Sequence, residues 1–304
     1  MSRPSGVLLP FITFTLIWGS TWIVIRDQLG VVPAPWSIVY RFVIAAAAMA
    51  LWAKLKHGSL SLPREVWPVA LGMGVLQFSV NFNGVYAAEH FITSGLVATL
   101  FGLLLIPNSL IGWVMLGLKP TRPFVIGSTI AVAGMACLFA VEFRKAEVDD
   151  VGLLTGIGWT LLAVLAAAFA NNIGATERAR EVPLLALLAW AMGVGAVVNT
   201  AVALLLSGAP VFDPRPGYWL GLVYLALFAS VLCFALYLPV VRKIGPGKAA
   251  YSSALVPIVA MALSTLFEGY RWSPLAALGA CLAIGGMVVA LSARRGPVPP
   301  PPAD

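Results

Sequence analysis

Charge is what this chain has least of. Lysine, arginine, aspartate and glutamate together make up 10% of its 304 residues, while 60% are apolar. A soluble globular domain carries about 25% charged residues, so this composition excludes one. Cysteine is scarce as well. Cys137, Cys233 and Cys281 all lie inside apolar runs. Their odd number and placement exclude a disulfide framework, and they read as small apolar core residues. Histidine is scarcer still, with His57 in a loop and His90 at a segment junction. No Asp or Glu falls in the middle of an apolar run; Glu89 and Glu268 stand at run ends. These absences argue against a membrane-embedded enzyme, which needs a nucleophile with a base or a metal cluster. They imply no catalytic residue, no metal and no cofactor. A Gly-rich phosphate loop is missing, which excludes an ATP-driven pump. A channel's charged ring or filter-like loop is missing too.

What is present is a series of apolar runs of roughly 20 residues, the length that crosses a bilayer core as a helix. Ten spans are expected, at about 7–25, 35–53, 67–87, 91–117, 123–141, 152–174, 183–206, 217–240, 247–267 and 274–292. Pro33, Pro35, Pro63, Pro123, Pro183 and Pro274 sit at or near span starts, where a missing N–H costs little. The N-terminal run after Arg3 resembles a signal peptide, but further spans follow, so it reads as an uncleaved first span. The Pro-rich tail, 293–304, reads as disordered.

The net charge of +7 does not point to nucleic acid, because the basic residues are scattered over short loops. With both termini on the cytoplasmic side, 13 of the 19 Lys and Arg residues fall on that side and 5 on the other. Arg41 lies within a span. The positive-inside bias therefore predicts cytoplasmic termini.

The chain also writes one stretch twice. Gly95 and Gly245 each stand twelve residues before a proline, Pro107 and Pro257. Lys119-Pro-Thr-Arg122 and Gly269-Tyr-Arg271 follow as basic turns. Then Gly127-x6-Gly134-Met135 recurs as Gly279-x6-Gly286-Met287. Such repeats set the plan of a molecule. Residues 1–146 and 147–292 each hold five spans, and an odd number inverts the second half. The expected fold class is an all-α polytopic membrane protein of ten helices in two inverted repeats, with its site at the repeat interface.

With Trp18-Gly19-Ser20 in the first span, Arg41-Phe42 in the second and the paired proline and glycine features, the chain resembles the drug/metabolite transporter superfamily, in its ten-span EamA branch. The resemblance covers about residues 7–292 and is nearest to the aromatic amino-acid exporters. One departure is Leu118, where this family often carries Glu; the second half keeps Glu268. The resemblance implies a multi-pass exporter of the bacterial inner membrane. It implies small-molecule substrates, amino acids and cationic drugs among them, and lipid as the other partner. A monomer satisfies the sequence. A proton-coupled antiporter and a nucleotide-sugar carrier are the rival members of the same superfamily. The latter would need more basic residues inside spans than Arg41 alone.

Candidate site residues follow from helical spacing. Phe78, Phe82 and Tyr86 form an i, i+4, i+8 aromatic stripe, and Gln77 and Asn81 an adjacent amide stripe. Together they suit a zwitterion with an aromatic side chain; singly, each residue could serve helix packing. Ser20 in the first span has Asn171 as a rough counterpart in the sixth. Tyr251 and Ser252 lie one turn before Pro257, and Trp18 and Trp159 lie deeper than an interfacial belt requires. Pro107 and Pro257 each free a carbonyl four residues back, of Leu103 and Ser253. Symmetric interruption reads either as a hinge beside the cavity or as a packing kink. Arg41, roughly 9 Å deep, can snorkel along its long stem or hold freed carbonyls or a substrate carboxylate; its place near a span end favours a structural role. With no acid in midspan, facilitated diffusion or exchange is expected, without tight proton coupling. Phe78→Ala and Asn81→Ala are expected to alter transport without unfolding the protein.

Overall fold

A computed structural model describes residues 5–145, 150–267 and 272–292, and every regular element in it is helical. In chain order these are α1 (Ser5–Gln28), α2 (Ala34–His57), α3 (Trp67–Val75), α4 (Asn81–Glu89), α5 (Ser94–Phe101) and α6 (Leu105–Leu116). Then come α7 (Arg122–Lys145), α8 (Asp150–Ile173), α9 (Glu177–Arg180), α10 (Leu184–Ser207) and α11 (Pro216–Tyr224). The chain ends with α12 (Cys233–Ile244), α13 (Pro246–Ala249), α14 (Tyr251–Phe267) and α15 (Pro274–Ser292). Among the described residues, eight helical stretches are long and apolar enough to cross a membrane. The expected third and ninth spans are built from shorter pieces, α3 with α4 and α13 with α14. Glu268, the Gly269-Tyr270-Arg271 turn, the expected boundary between the halves and the tail from 293 lie outside the described residues.

The helix ends follow local chemistry. Pro33 and Pro183 stand at the N-caps of α2 and α10. Gly58 and Gly117 close α2 and α6 with φ of 72° and 66°, where a side chain would be strained. Outward-facing apolar side chains such as Val114 and Leu205, each 84% exposed, need lipid around them. Cys233 is buried, whereas Cys281 is exposed on α15, so the expectation of three core cysteines is corrected there. Its position on the helix decides this, because it faces away from α7.

The repeated glycines explain themselves in the packing of α7 on α15. A Cβ on Gly127 would fall on the Gly286 carbonyl, and one on Gly286 would fall on the Gly127 carbonyl. Gly134 and Gly279 are paired in the same way, each 2.6–2.8 Å from the other's carbonyl at its absent Cβ. Spaced seven apart, two glycines share one helix face, and here two such faces meet backbone to backbone.

A clasp closes one end of the molecule. The Arg215 Nη2 donates to Asp213 Oδ2 at 2.8 Å and to the Asp27 carbonyl at the end of α1. Trp219 Nε1 donates to the Asp213 carbonyl at 2.7 Å, and Tyr40 Oη to the Val211 carbonyl at 2.9 Å. Hydrogen bonding from Arg215 holds the Asp213 carboxyl below the usual carboxylate range. A depressed folded value stabilises the fold above the unfolded carboxylate pKa of about 3.9, and the contribution is lost as pH falls through the folded value. Asp213→Asn is therefore expected to lower the melting temperature at neutral pH and to bring it closer to wild type below about pH 3. Melting curves of both proteins across that window check this; parallel curves would show that the pair contributes nothing.

Candidate functional site

The site begins with two departures from α-helical winding that no proline or glycine causes. Leu76–Val80, between α3 and α4, winds as a π-helix, and so does Leu225–Leu232, between α11 and α12. They lie in the expected third and eighth spans. Wider winding leaves carbonyls to be satisfied from outside, and a neighbouring helix supplies a donor in each case. Asn199 Nδ2 of α10 donates to the Phe78 carbonyl at 2.7 Å. Trp18 Nε1 of α1 donates to the Ala229 carbonyl at 3.0 Å.

Beside the first of these segments, which contributes Gln77, lies a cavity of about 110 Å³. That is small beside typical ligand pockets of roughly 300–1,000 Å³. Its wall takes residues from α1, α2, α4, α5, α8, α12 and α14, with Gln77 and Leu104 from the turns between helices. Trp18, Trp22, Phe82, Phe101, Phe234 and Tyr237 give it an aromatic lining. Gln77, Asn81 and Asn171 face it with amides, and Thr21 and Ser253 with hydroxyls. Gln77 and Asn81 are buried yet make no side-chain hydrogen bond among the described residues, while Asn171 Nδ2 reaches Asn108 Oδ1 at 3.4 Å.

Arg41 is the wall's one charge. It is 2% exposed, so it does not snorkel out to solvent. Its Nε donates to Ser230 Oγ at 3.0 Å, Ser230 being held to the Leu225 carbonyl within the π-helix. Its guanidinium carbon stands 4.4 Å from the centre of the Phe82 ring. The Tyr86 hydroxyl lies beside the guanidinium, yet among the described residues Nη1 makes no hydrogen bond, and neither does Trp22 Nε1.

The other expected residues divide by which way their helix faces turn. Gln77, Asn81, Phe82, Trp18 and Asn171 line the cavity. Phe78 is fully buried behind them, its ring against Phe42 and Phe234. Phe78→Ala thus reports on packing, in contrast to the sequence-based expectation of altered transport alone. Tyr86 is also fully buried, its hydroxyl donating to Gln28 Oε1 at 3.2 Å. Ser20 turns to Tyr224, at 2.6 Å between hydroxyls. Tyr251 turns to Ser128 of α7, at 2.7 Å, and Ser252 Oγ caps the Ala249 carbonyl. Trp159 is 40% exposed on the outer face of α8, away from the cavity. Pro107 follows a 3-10 turn at Gly102–Leu104, and Pro257 lies inside α14. Neither proline lines the cavity, though Leu104 and Ser253, close to the carbonyls they free, both do. Missed by sequence reasoning were Trp22, Phe101, Phe234 and Tyr237, which read as ordinary apolar-run aromatics. Glu89 carries both carboxylate oxygens buried and without a partner at the end of α4, outside the cavity wall.

The model of the EamA-like transporter family matches the chain over residues 5–140 and again over 154–292. Protein PagO of Salmonella typhimurium is 22% identical over 304 residues, covering 97% of this chain and 96% of its own. The uncharacterized inner membrane transporter YedA of Escherichia coli K12 is 26% identical over 280 residues, 91% of this chain and 86% of its own. A probable amino-acid metabolite efflux pump of the same strain is 22% identical, with 95% of each chain covered. One crystal structure superposes with a TM-score of 0.76 at 20% identity, over 95% of this chain and 97% of that one. That likeness concerns the fold.

Proposed function

Because this chain belongs to the EamA-like transporter family, we propose that it exports amino acids and related small metabolites across a bacterial inner membrane by alternating access. Its termini face the cytoplasm in this reading, as the distribution of Lys and Arg suggests. Residues 1–146 and 147–292 act as two inverted halves that rock about the cavity. The twofold match of the family model and the reciprocal glycine pairing support the two halves. The observation that carries the reading is the cavity itself, where the unspent amides of Gln77 and Asn81 stand beside aromatic rings. The naming of one relative as an amino-acid metabolite efflux pump supports the substrate class. At about 110 Å³ the site suits a small amino acid; an aromatic one needs the halves to part.

Transport proceeds as facilitated diffusion or exchange, since no carboxylate lines the cavity to relay a proton. Glu89, buried and unpaired, is the observation that favours proton-coupled exchange instead. Proteoliposome uptake of labelled Phe, Trp, Thr and Ala, with and without a pH gradient, separates the two. Saturable uptake without the gradient is the expected result. Strict dependence on the gradient would overturn the uncoupled reading and direct attention to Glu89. Asn81→Ala is expected to slow uptake about tenfold while leaving the melting temperature within about 2 °C, because no protein hydrogen bond is lost. Unchanged kinetics would remove this cavity from the transport path.

A further inference from the structure

Resting on the amino-acid reading above, we infer that Arg41 is the anchor for a carboxylate of the substrate, and that cations without an anionic group are excluded from the site. A guanidinium keeps its charge in a protein interior. Burying it without a counter-ion costs several kcal/mol even after relaxation. Arg41 is buried in this way: no Asp or Glu lines the cavity, and no ion pair reaches it among the described residues. Its Nε is held by Ser230 and its face by Phe82, so the side chain is fixed in place. The Phe82 ring offsets part of the cost of the charge but accepts no hydrogen bond from Nη1.

Two observations indicate what is missing. Arg41 and Trp22 both line the cavity, and each carries a buried donor without a hydrogen-bond partner among the described residues, Nη1 and Nε1, so an occupant that brings acceptors suits them. The wall carries one positive charge and no negative one, so the occupant must bring an anion. A carboxylate meets both conditions, and the guanidinium fork matches its two oxygens. An α-ammonium then falls to neutral partners, the amide oxygens of Gln77 and Asn81 and the faces of Trp18 and Phe234. This narrows the substrates implied by family resemblance, because a cationic drug would bring a second positive charge to Arg41.

The test uses the purified full chain in detergent, with melting followed by tryptophan fluorescence. The probes are L-threonine and L-phenylalanine, the amide of each, the amine left when each loses its carboxylate, and the two acids lacking the amino group. The two amino acids and the two acids are expected to raise the melting temperature. The amides and amines are expected to bind at least about tenfold more weakly, as loss of a charge-assisted pair implies. Arg41→Gln should erase the difference between acid and amide, and Arg41→Lys should keep part of it. A merely structural arginine would shift all probes together. Amides that bind as well as acids to the wild-type protein would overturn the anchor while leaving the amino-acid reading intact, whether or not the variants fold. Silence from every probe would overturn the amino-acid reading and the anchor with it.

Discussion

Gly286→Ala is expected to lower the melting temperature by about 5–10 °C, corresponding to roughly 2–3 kcal/mol for a chain of this size. The added methyl has no room to move into. Its position lies on the Gly127 carbonyl, 2.6 Å from the Ala131 nitrogen and 3.0 Å from its Cα. All three are backbone atoms, so α7 and α15 must separate along their length. Separation exposes no water-hating surface that lipid would not cover, but it forfeits close van der Waals contact, which is what holds helices together in a bilayer. Gly285, one residue earlier, supplies the control. A Cβ there meets nothing within 4 Å, so Gly285→Ala is expected to be neutral or to stabilise by up to about 1 kcal/mol through helix propensity. Melting of the two variants side by side in one detergent decides the matter. Equal behaviour would mean that the crossing is looser than it stands here.

Asn199→Ala is expected to cost about 2–4 kcal/mol and to abolish uptake. Asn199 is fully buried and uses both ends of its amide. Its Nδ2 satisfies the Phe78 carbonyl at 2.7 Å, and its Oδ1 accepts from Ser79 Oγ and Asn83 Nδ2, each at 2.7 Å. Alanine leaves three polar groups unmatched in an apolar interior, only Asn83 keeping a second bond, to the Ser79 carbonyl. The local remedy is to rewind Leu76–Val80 as an α-helix. Removing the extra residue of the π turn would rotate one side of the span by about 100° against the other, taking Asn81 and Phe82 off the cavity relative to Gln77. Loss of transport should thus exceed what the loss of stability explains. Thr200→Ala, which gives up only a bond to the Ala196 carbonyl of its own helix, should be near neutral in both measurements. Full uptake by Asn199→Ala at a temperature where it is folded would sever the link between the π turn and the site.

The two variants differ in how visible their causes are in the sequence. The glycine crossing shows in advance, because Gly127-x6-Gly134 and Gly279-x6-Gly286 repeat a spacing that places both residues of a pair on one helix face. The π turns do not, since Leu76–Val80 and Leu225–Leu232 contain neither proline nor glycine. Winding there is selected by donors on other helices, Asn199 and Trp18, that are over 100 residues away in each case. The prolines show plainly in sequence but stand behind the cavity wall.

The helical class and eight of the ten expected spans can be read from the sequence, since these depend on run length and on proline and glycine placement, which are local. The amides Gln77, Asn81 and Asn171 belong with these, because a polar side chain in an apolar run has few places to go. Only the tertiary structure decided which residues meet. It turned Ser20, Tyr251, Ser252 and Trp159 away from the cavity. It also buried Arg41 among Ser230, Phe82 and the cavity, without a carboxylate. The reason is geometric. Depth along a helix can be counted from the sequence, but the direction in which a side chain points relative to its neighbours is fixed by how helices from both ends of the chain rotate and cross when they pack.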